Sequence, residues 1–255
     1  MHVKDPWELG LMRQSGRRLA EVAARLREAV RPEVTTNELD EIAARAIAEL
    51  GALSSFKGYR PGNMGTPFPK TVCISVNEQV VHGIPGDRKL QSGDIVSVDL
   101  GLVYGGYHAD CAFTVALGEV PARVRELLDV TEQSLYEGVA RAVSGNRVGD
   151  VGHAIEEHVK PHHFGVIRDY VGHGIGRAMH ELPSVPNFGR PRQGQPLKEG
   201  LCLAIEPMIT LGGYKTKVLK DGWTVVTADG SLAAHFEHTI AITPKGPEIL
   251  TVLAA

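Results

Sequence analysis

Asp99, Asp110, His173, Glu206 and Glu237 are hard metal-ligand types set in strand-like or glycine-flanked sequence. Four carboxylates and one neutral imidazole carry the negative charge that two divalent cations would balance. A donor set of oxygen and nitrogen without thiolate suits Mn²⁺, Fe²⁺, Co²⁺ or Zn²⁺, about 3.5–4 Å apart in two-metal hydrolase sites. The first pair can be placed from sequence alone. Ile95 to Val115 alternates and is broken at Gly105-Gly106, the pattern of a β-hairpin with a two-residue turn. With those glycines in the turn, residue 99 faces 112 and residue 101 faces 110. Asp99 and Asp110 then form a diagonal pair on one face, about 7–8 Å apart at the backbone. The opposite face (Val96, Val98, Leu100, Leu102) is apolar. Two such carboxylates repel unless one keeps its proton or a cation binds. The alternative is that Asp99 is solvated on an open sheet face and Asp110 merely flanks a turn.

The other candidates shift that balance. His173 lies in Val171-Gly-His-Gly-Ile-Gly176, where small neighbours leave the imidazole uncrowded and let the backbone approach a centre closely. The spacing does not fit a dinucleotide-binding glycine fingerprint, so a metal-ligand or catalytic histidine is favoured. Glu206 interrupts the apolar run Leu201–Ile209, and Pro207 after it donates no ladder hydrogen bond, as at a strand edge or bulge. Glu237 lies in the comparable run Ala234–Ile242. Buried carboxylates are costly unless paired or metal-bound. His82, in Val80-Val-His-Gly-Ile-Pro85, and His180, in Ala178-Met-His-Glu-Leu-Pro183, occupy similar settings, although either could be an ordinary core or loop histidine.

The elements that must position these residues follow from periodicity. Leu11, Met12, Leu19, Val22, Ala23, Leu26 and Val30 recur at helical spacing up to Arg31-Pro32. A second helix runs from an N-cap at Thr36 through Ile47 to Gly51. From Val124 the plan repeats, with a helix through Leu127, Leu128, Leu135 and Val139 and another, capped by Asp150, through Ile155 and Val159. Each half then turns to strands: Val72–Val76 and the hairpin in the first, Leu201–Ile209, Trp223–Thr227 and Ala234–Ile242 in the second. Two copies of helix, helix and antiparallel strands predict an α+β fold with an internal pseudo-twofold. No Pro-, Ser- or charge-rich linker separates the halves. One domain is expected over residues 1–255, with halves of about 1–120 and 121–255 and the site between them.

The 255 residues are 43% hydrophobic and 22% charged, ordinary globular composition. A net charge of −3 and a pI near 6.4 give no electrostatic reason to expect nucleic acid or an anionic membrane as a partner. No apolar run approaches the roughly 18–20 residues of a membrane span. The N-terminus lacks the apolar core of a signal peptide. Cys73, Cys111 and Cys202 are odd in number and far apart, which suggests neither a disulfide framework nor a structural zinc site and fits a reducing cytoplasm. Alternation points Cys111 away from Asp110, as a buried small hydrophobe.

Over nearly its whole length the chain resembles the type I methionine aminopeptidases of peptidase family M24, with the "pita-bread" fold of antiparallel sheets covered by helices. The resemblance runs in order through Val72–Asn77, Val81-His-Gly-Ile-Pro85, Gly93–Gly101, the Asp110 strand, Gly172–Gly176, His180-Glu, Ile205-Glu-Pro207, Asp221–Thr224 and Phe236-Glu-His-Thr239. It implies that the five ligands hold two divalent metals (Co, Mn, Fe or Zn), with Asp110 and Glu237 bridging. It further implies that a bridging hydroxide attacks the first peptide bond of a nascent chain beginning with methionine, when the second residue is small, with Glu206 as proton shuttle. His180 would stabilise the oxyanion and His82 contact the substrate near the scissile amide. Tyr59, Phe68, Cys73 and Trp223 would line the methionine pocket, unless Phe68 and Trp223 are plain core. A cytoplasmic monomer in transient association with the ribosome is expected. Two departures bear on the pocket: the insertion Arg60–Pro67, and Met179 where an aromatic residue is common. The competing expectations are an Xaa-Pro aminopeptidase-like enzyme, which would usually carry a further N-terminal domain, and a non-catalytic binding module of the same fold.

Overall fold

The computed structural model describes residues 1–60 and 65–253; residues 61–64, the middle of the 60–67 insertion, lie outside the described residues. The first half comprises helices α1 (Pro6–Ala29) and α2 (Thr36–Glu49), then strands β1 (Leu53–Ser54), β2 (Cys73–Val76), β3 (Gln79–Val81), β4 (Ile95–Tyr104) and β5 (Tyr107–Ala116). The second half repeats the order with α3 (Ala122–Arg141) and α4 (Val148–Val159). Its strands are β6 (Gly165–Val166), β7 (Gly172–Gly174), β8 (Glu181–Val185), β9 (Cys202–Ile205), β10 (Met208–Thr210), β11 (Thr216–Val218), β12 (Val225–Thr227), β13 (Ala233–His235), β14 (Glu237–Thr243) and β15 (Gly246–Ile249).

Capping boxes fix the starts of α1 and α2. In α1, Asp5 Oδ1 accepts from the Glu8 amide at 2.8 Å and Glu8 Oε2 from the Asp5 amide at 3.0 Å. The N-cap of α2 is Thr35, one residue before the expected Thr36, because only Thr35 has a glutamate three residues on: Glu38 returns a hydrogen bond to the Thr35 amide at 2.7 Å. Thr36 is instead buried, its hydroxyl bonded to the backbone of Gly86. Likewise Asp150 is not the cap of α4 but its third residue, accepting from the Arg147 amide at 2.8 Å.

Nine of the described strands form one sheet, whose main path runs β1-β4-β5-β14-β9-β7-β8. The hairpin pairs as expected, with Asp99 opposite Ala112, Gly101 opposite Asp110 and Tyr104 opposite Tyr107. Gly105 and Gly106 both have positive φ (57° and 80°), the conformation that lets a two-residue turn match the strand twist. Val96, Val98, Leu100 and Leu102 are fully buried and belong to the same core as Leu19, Val22 and Leu26 of α1. Two expected strands are each split. The run 201–209 breaks at Glu206-Pro207, where proline has no amide to give, and the run 234–242 breaks at Phe236, whose amide donates to the Pro207 carbonyl at 3.3 Å.

β5 meets β14 in a short ladder, Glu237 opposite Ala112 and His238 opposite Cys111. Thr239 extends it: its hydroxyl donates to the Asp110 carbonyl at 2.8 Å and accepts the Asp110 amide at 2.9 Å. This joint seats the bearer of Asp110 against the bearer of Glu237. Thr239→Val keeps the shape and orphans both buried backbone groups, so a loss of about 1–3 kcal/mol is expected in urea unfolding. A loss below about 0.5 kcal/mol would show that the hydroxyl does not hold the joint.

Candidate metal centre

Five neighbouring strands of the sheet, β4, β5, β14, β9 and β7, each supply one candidate ligand: Asp99, Asp110, Glu237, Glu206 just past the end of β9, and His173. Ligand atoms of Asp110, His173 and Glu237 lie within 4.8 Å of one another. His173 Nε2 stands 3.8 Å from Asp110 Oδ2 and 3.7 Å from Glu206 Oε1. His173 Nδ1 is 2.9 Å from the Gly174 carbonyl, which can only accept, so the proton sits on Nδ1 and the Nε2 lone pair faces the carboxylates. The three glycines were expected to let the backbone approach the centre. At Gly172 and Gly174 the tight approach is to neighbouring strands instead: a Cβ there would come within 2.4 Å of the Ala204 and Leu182 carbonyls respectively.

Electrostatics explains what this cluster requires. Burial, reinforced by the other carboxylates, pushes Asp110, Glu206 and Glu237 well above the usual carboxylate range, and burial raises Asp99 to about 7. Burial also lowers His173 to about 3, so it is neutral. Asp99 Oδ1, Asp110 Oδ1 and Glu237 Oε1 are buried with no hydrogen-bond partner. An imidazole lone pair turned toward carboxylates with orphaned oxygens has no proton donor to relieve it. The donor set therefore fits divalent cations.

All the expected site residues line one cavity of about 340 Å³, together with Phe56 and Met179. Its apolar wall is formed by Phe68, buried, packed edge-on to Trp223 at 5.2 Å and to Phe56 at 6.5 Å. Trp223 Nε1 donates to the Thr66 carbonyl at 3.0 Å, tying the end of the 60–67 insertion to the wall. Cys73 is buried opposite Asp99 across the β2–β4 pair. The His180 ring centre lies 4.2 Å from that of His173 with the planes tilted by 47°, and its Nδ1 shares a 2.7 Å hydrogen bond with the Tyr59 hydroxyl. His82 holds a left-handed backbone (φ 60°), an uncommon state for a residue with a Cβ, and its ring lies 5.6 Å from Tyr170 and 6.1 Å from Trp223.

Three features escaped sequence reasoning. The Tyr59–His180 bond joins residues 121 apart in sequence and left no local signal. Asn187 donates to the Glu206 carbonyl at 3.0 Å. His235 is buried with Nε2 3.7 Å from Glu206 Oε2; its place two residues before Glu237, on the same side of an extended chain, was a usable signal.

Residues 10–244 match the model of metallopeptidase family M24. The chain belongs to that family. It is 49% identical to methionine aminopeptidase from Clostridium perfringens over 98% of both chains. To methionine aminopeptidase 1 from Bacillus subtilis it is 48% identical, over 97% of this chain and 98% of the relative. The crystal structure of methionine aminopeptidase from Thermotoga maritima superposes with a TM-score of 0.95 at 43% identity, covering 99% of each chain. The Xaa-Pro dipeptidase from Bacillus anthracis shares the fold alone, at a TM-score of 0.77 and 20% identity; 98% of this chain covers 61% of that one. This M24 chain thus has the pseudo-twofold pita-bread α+β fold. No helix among the described residues is long and apolar enough to cross a membrane.

The raised carboxyls make an M24 chain without metal sensitive to base. Asp99, at about 7 folded against about 3.9 unfolded, binds its proton more tightly in the folded state. Its contribution is complete below pH ~4 and is lost as pH rises through ~7. Metal-stripped protein is expected to melt at a lower temperature at pH 8 than at pH 5.5, with a smaller difference in Asp99→Asn. Saturating Mn²⁺ should raise the pH 8 value most. Differential scanning calorimetry decides; equal pH dependence in Asp99→Asn would overturn the assignment.

Proposed function

We propose that this chain is a type I methionine aminopeptidase, removing methionine from the N-termini of nascent proteins whose second residue is small. The observation that carries the proposal is the convergence of five oxygen and nitrogen donors, three with orphaned buried oxygens, on the floor of one aromatic-walled cavity. Relatives at 48–49% identity over nearly the whole chain are named methionine aminopeptidase and methionine aminopeptidase 1.

Asp99, Asp110, His173, Glu206 and Glu237 would hold two divalent ions. Bound there, such ions act as Lewis acids and lower the pKa of water. The residues supply the remainder. Glu206, whose side chain is 14% exposed against 6% for Asp110, is open enough to the cavity to take a proton from attacking water and deliver it to the leaving amine. With the Tyr59 hydroxyl donating to Nδ1, His180 carries its proton on Nε2 and donates it to the carbonyl oxygen as charge develops. His82, partly buried and lowered to about 4 chiefly by that burial, offers a neutral imidazole beside the scissile amide. Tyr59, Phe68, Cys73 and Trp223, with Phe56 and Met179, form a slot for an unbranched thioether side chain. The enzyme acts in the cytoplasm as a monomer, meeting nascent chains in transient association with the ribosome.

Turnover of Met-Ala-Ser by metal-stripped protein titrated with Mn²⁺ or Co²⁺ tests this. Free methionine should appear in step with added metal, and Glu206→Gln should lower kcat by about 10²–10⁴-fold. Cleavage of Ala-Pro peptides in place of Met-Ala-Ser would replace the substrate assignment. Absence of turnover with any divalent ion would favour a binding module.

A further inference from the structure

Among the described residues, His235 is the histidine whose two ring nitrogens are both buried without a hydrogen-bond partner. Its backbone is fixed: its amide donates to Thr114 Oγ1 at 2.9 Å, that hydroxyl donates to the His235 carbonyl at 2.8 Å, and residue 235 pairs with Met208. The ring is therefore held where it is, and its Nε2 lies 3.7 Å from Glu206 Oε2. Glu206 Oε1 lies 3.7 Å from His173 Nε2. The two oxygens of one carboxylate thus have different neighbours, a ligand histidine and a second histidine.

Glu206 is anchored at its backbone, its carbonyl held by Asn187 and the following residue a proline. What remains free is its side-chain rotation, and with it the direction each oxygen faces. A separation of 3.7 Å exceeds a direct hydrogen bond, and a carboxylate rotation that moves Oε2 by about 0.5–1 Å closes it. A neutral imidazole has one N–H to give, and after that rotation Glu206 Oε2 is an acceptor for it.

We infer that His235 is a positioning residue for Glu206: its Nε2–H donates to Oε2 and holds the carboxylate with Oε1 turned to the ligand cluster. The inference rests on the proton-shuttle assignment of Glu206. It assigns His235 an effect through Glu206, with no contact to substrate required. An apolar residue of similar size at 235 would leave Glu206 free to turn, slowing proton transfer and loosening metal binding while the pocket stays intact. Residues that orient ligands in this way typically affect metal affinity or activity by about 10–100-fold.

The test compares His235→Leu, which removes the donor, with His235→Gln, which keeps an N–H. On Met-Ala-Ser, His235→Leu should lower kcat by about 10–100-fold with KM within about twofold, and His235→Gln should recover most of that loss. Calorimetric titration of metal-stripped protein with Mn²⁺ should show about tenfold weaker binding in His235→Leu and near-native binding in His235→Gln. The double variant with Glu206→Gln should be no slower than Glu206→Gln alone. In metal-stripped wild-type protein labelled with ¹⁵N-histidine, the His235 signals should report the Nε2–H tautomer and move on Glu206→Gln. Equal losses in both 235 variants, additive losses in the double variant, or an Nδ1–H tautomer unmoved by Glu206→Gln would each overturn the inference. Should wild type fail to cleave Met-Ala-Ser at all, the substrate assignment falls, and the calorimetric and NMR results still decide the role of His235.

Discussion

Four carboxylates gathered in one buried place repel each other and forgo hydration, and neither cost is relieved by any cationic side chain in the cluster. Arginine or lysine partners would have quenched the site; in their place stands His173, held neutral, with its lone pair turned inward. A group with a unit positive charge would also be too little to balance four ionised acids. The charge deficit that results is what divalent ions fill, and it must be maintained against the protein's own tendency to collapse or protonate. Much of the architecture can be read as the means of holding that deficit in place.

The sheet does so by dividing the candidate ligands among strands. Because β4, β5, β14, β9 and β7 lie side by side, candidate ligands distant in sequence become neighbours across a sheet, with chain segments from both halves. The opposite face of the hairpin is buried aliphatic core, so turning the acids outward would expose Val96, Val98, Leu100 and Leu102. A one-residue slip would do that, and register is therefore tightly specified by the core. The breaks at Glu206-Pro207 and at Phe236 locally interrupt the ladder where Glu206 and Glu237 must leave regular geometry. Ladder continuity is given up at those two points and regained by the Phe236–Pro207 hydrogen bond and by Thr239.

Legibility in the sequence followed the range of the interaction. The hairpin was readable because alternation and a Gly-Gly turn are local, and its register then placed Asp99 against Asp110 without further information. The start of α2 was readable to within a residue and that of α4 only to within three; Thr35 and Thr36 are both acceptable caps in isolation, and the position of Glu38 decides between them. Glu206 and Glu237 could be singled out because an acid in an apolar run is costly. The continuous strands drawn through them were too long, since hydrophobicity does not reveal where a ladder is interrupted. The Tyr59–His180 bond depends on how separate loops pack, which no spacing in one sequence encodes, whereas the only sequence signal for His235 was its place two residues before Glu237.

Fold and specificity come from different parts of the molecule. The Bacillus anthracis Xaa-Pro dipeptidase has the same fold at 20% identity, so the fold itself cannot choose a substrate. The ligand strands form the floor of the cavity, and a floor of acids is indifferent to the side chain that precedes the scissile bond. The wall is built elsewhere: Tyr59 and Phe68 come from the connection after β1, His180 and Met179 from the turn before β8, and Trp223 from the connection before β12. These are segments that can change without moving a ligand strand. The hydrogen bond from Trp223 to Thr66 makes that wall continuous with the described end of the 60–67 insertion, so a change at Thr66 can alter the slot's wall while leaving the charge cluster untouched. Selection for a side chain and the capacity for hydrolysis can thus vary independently on one scaffold, provided the sheet keeps its register.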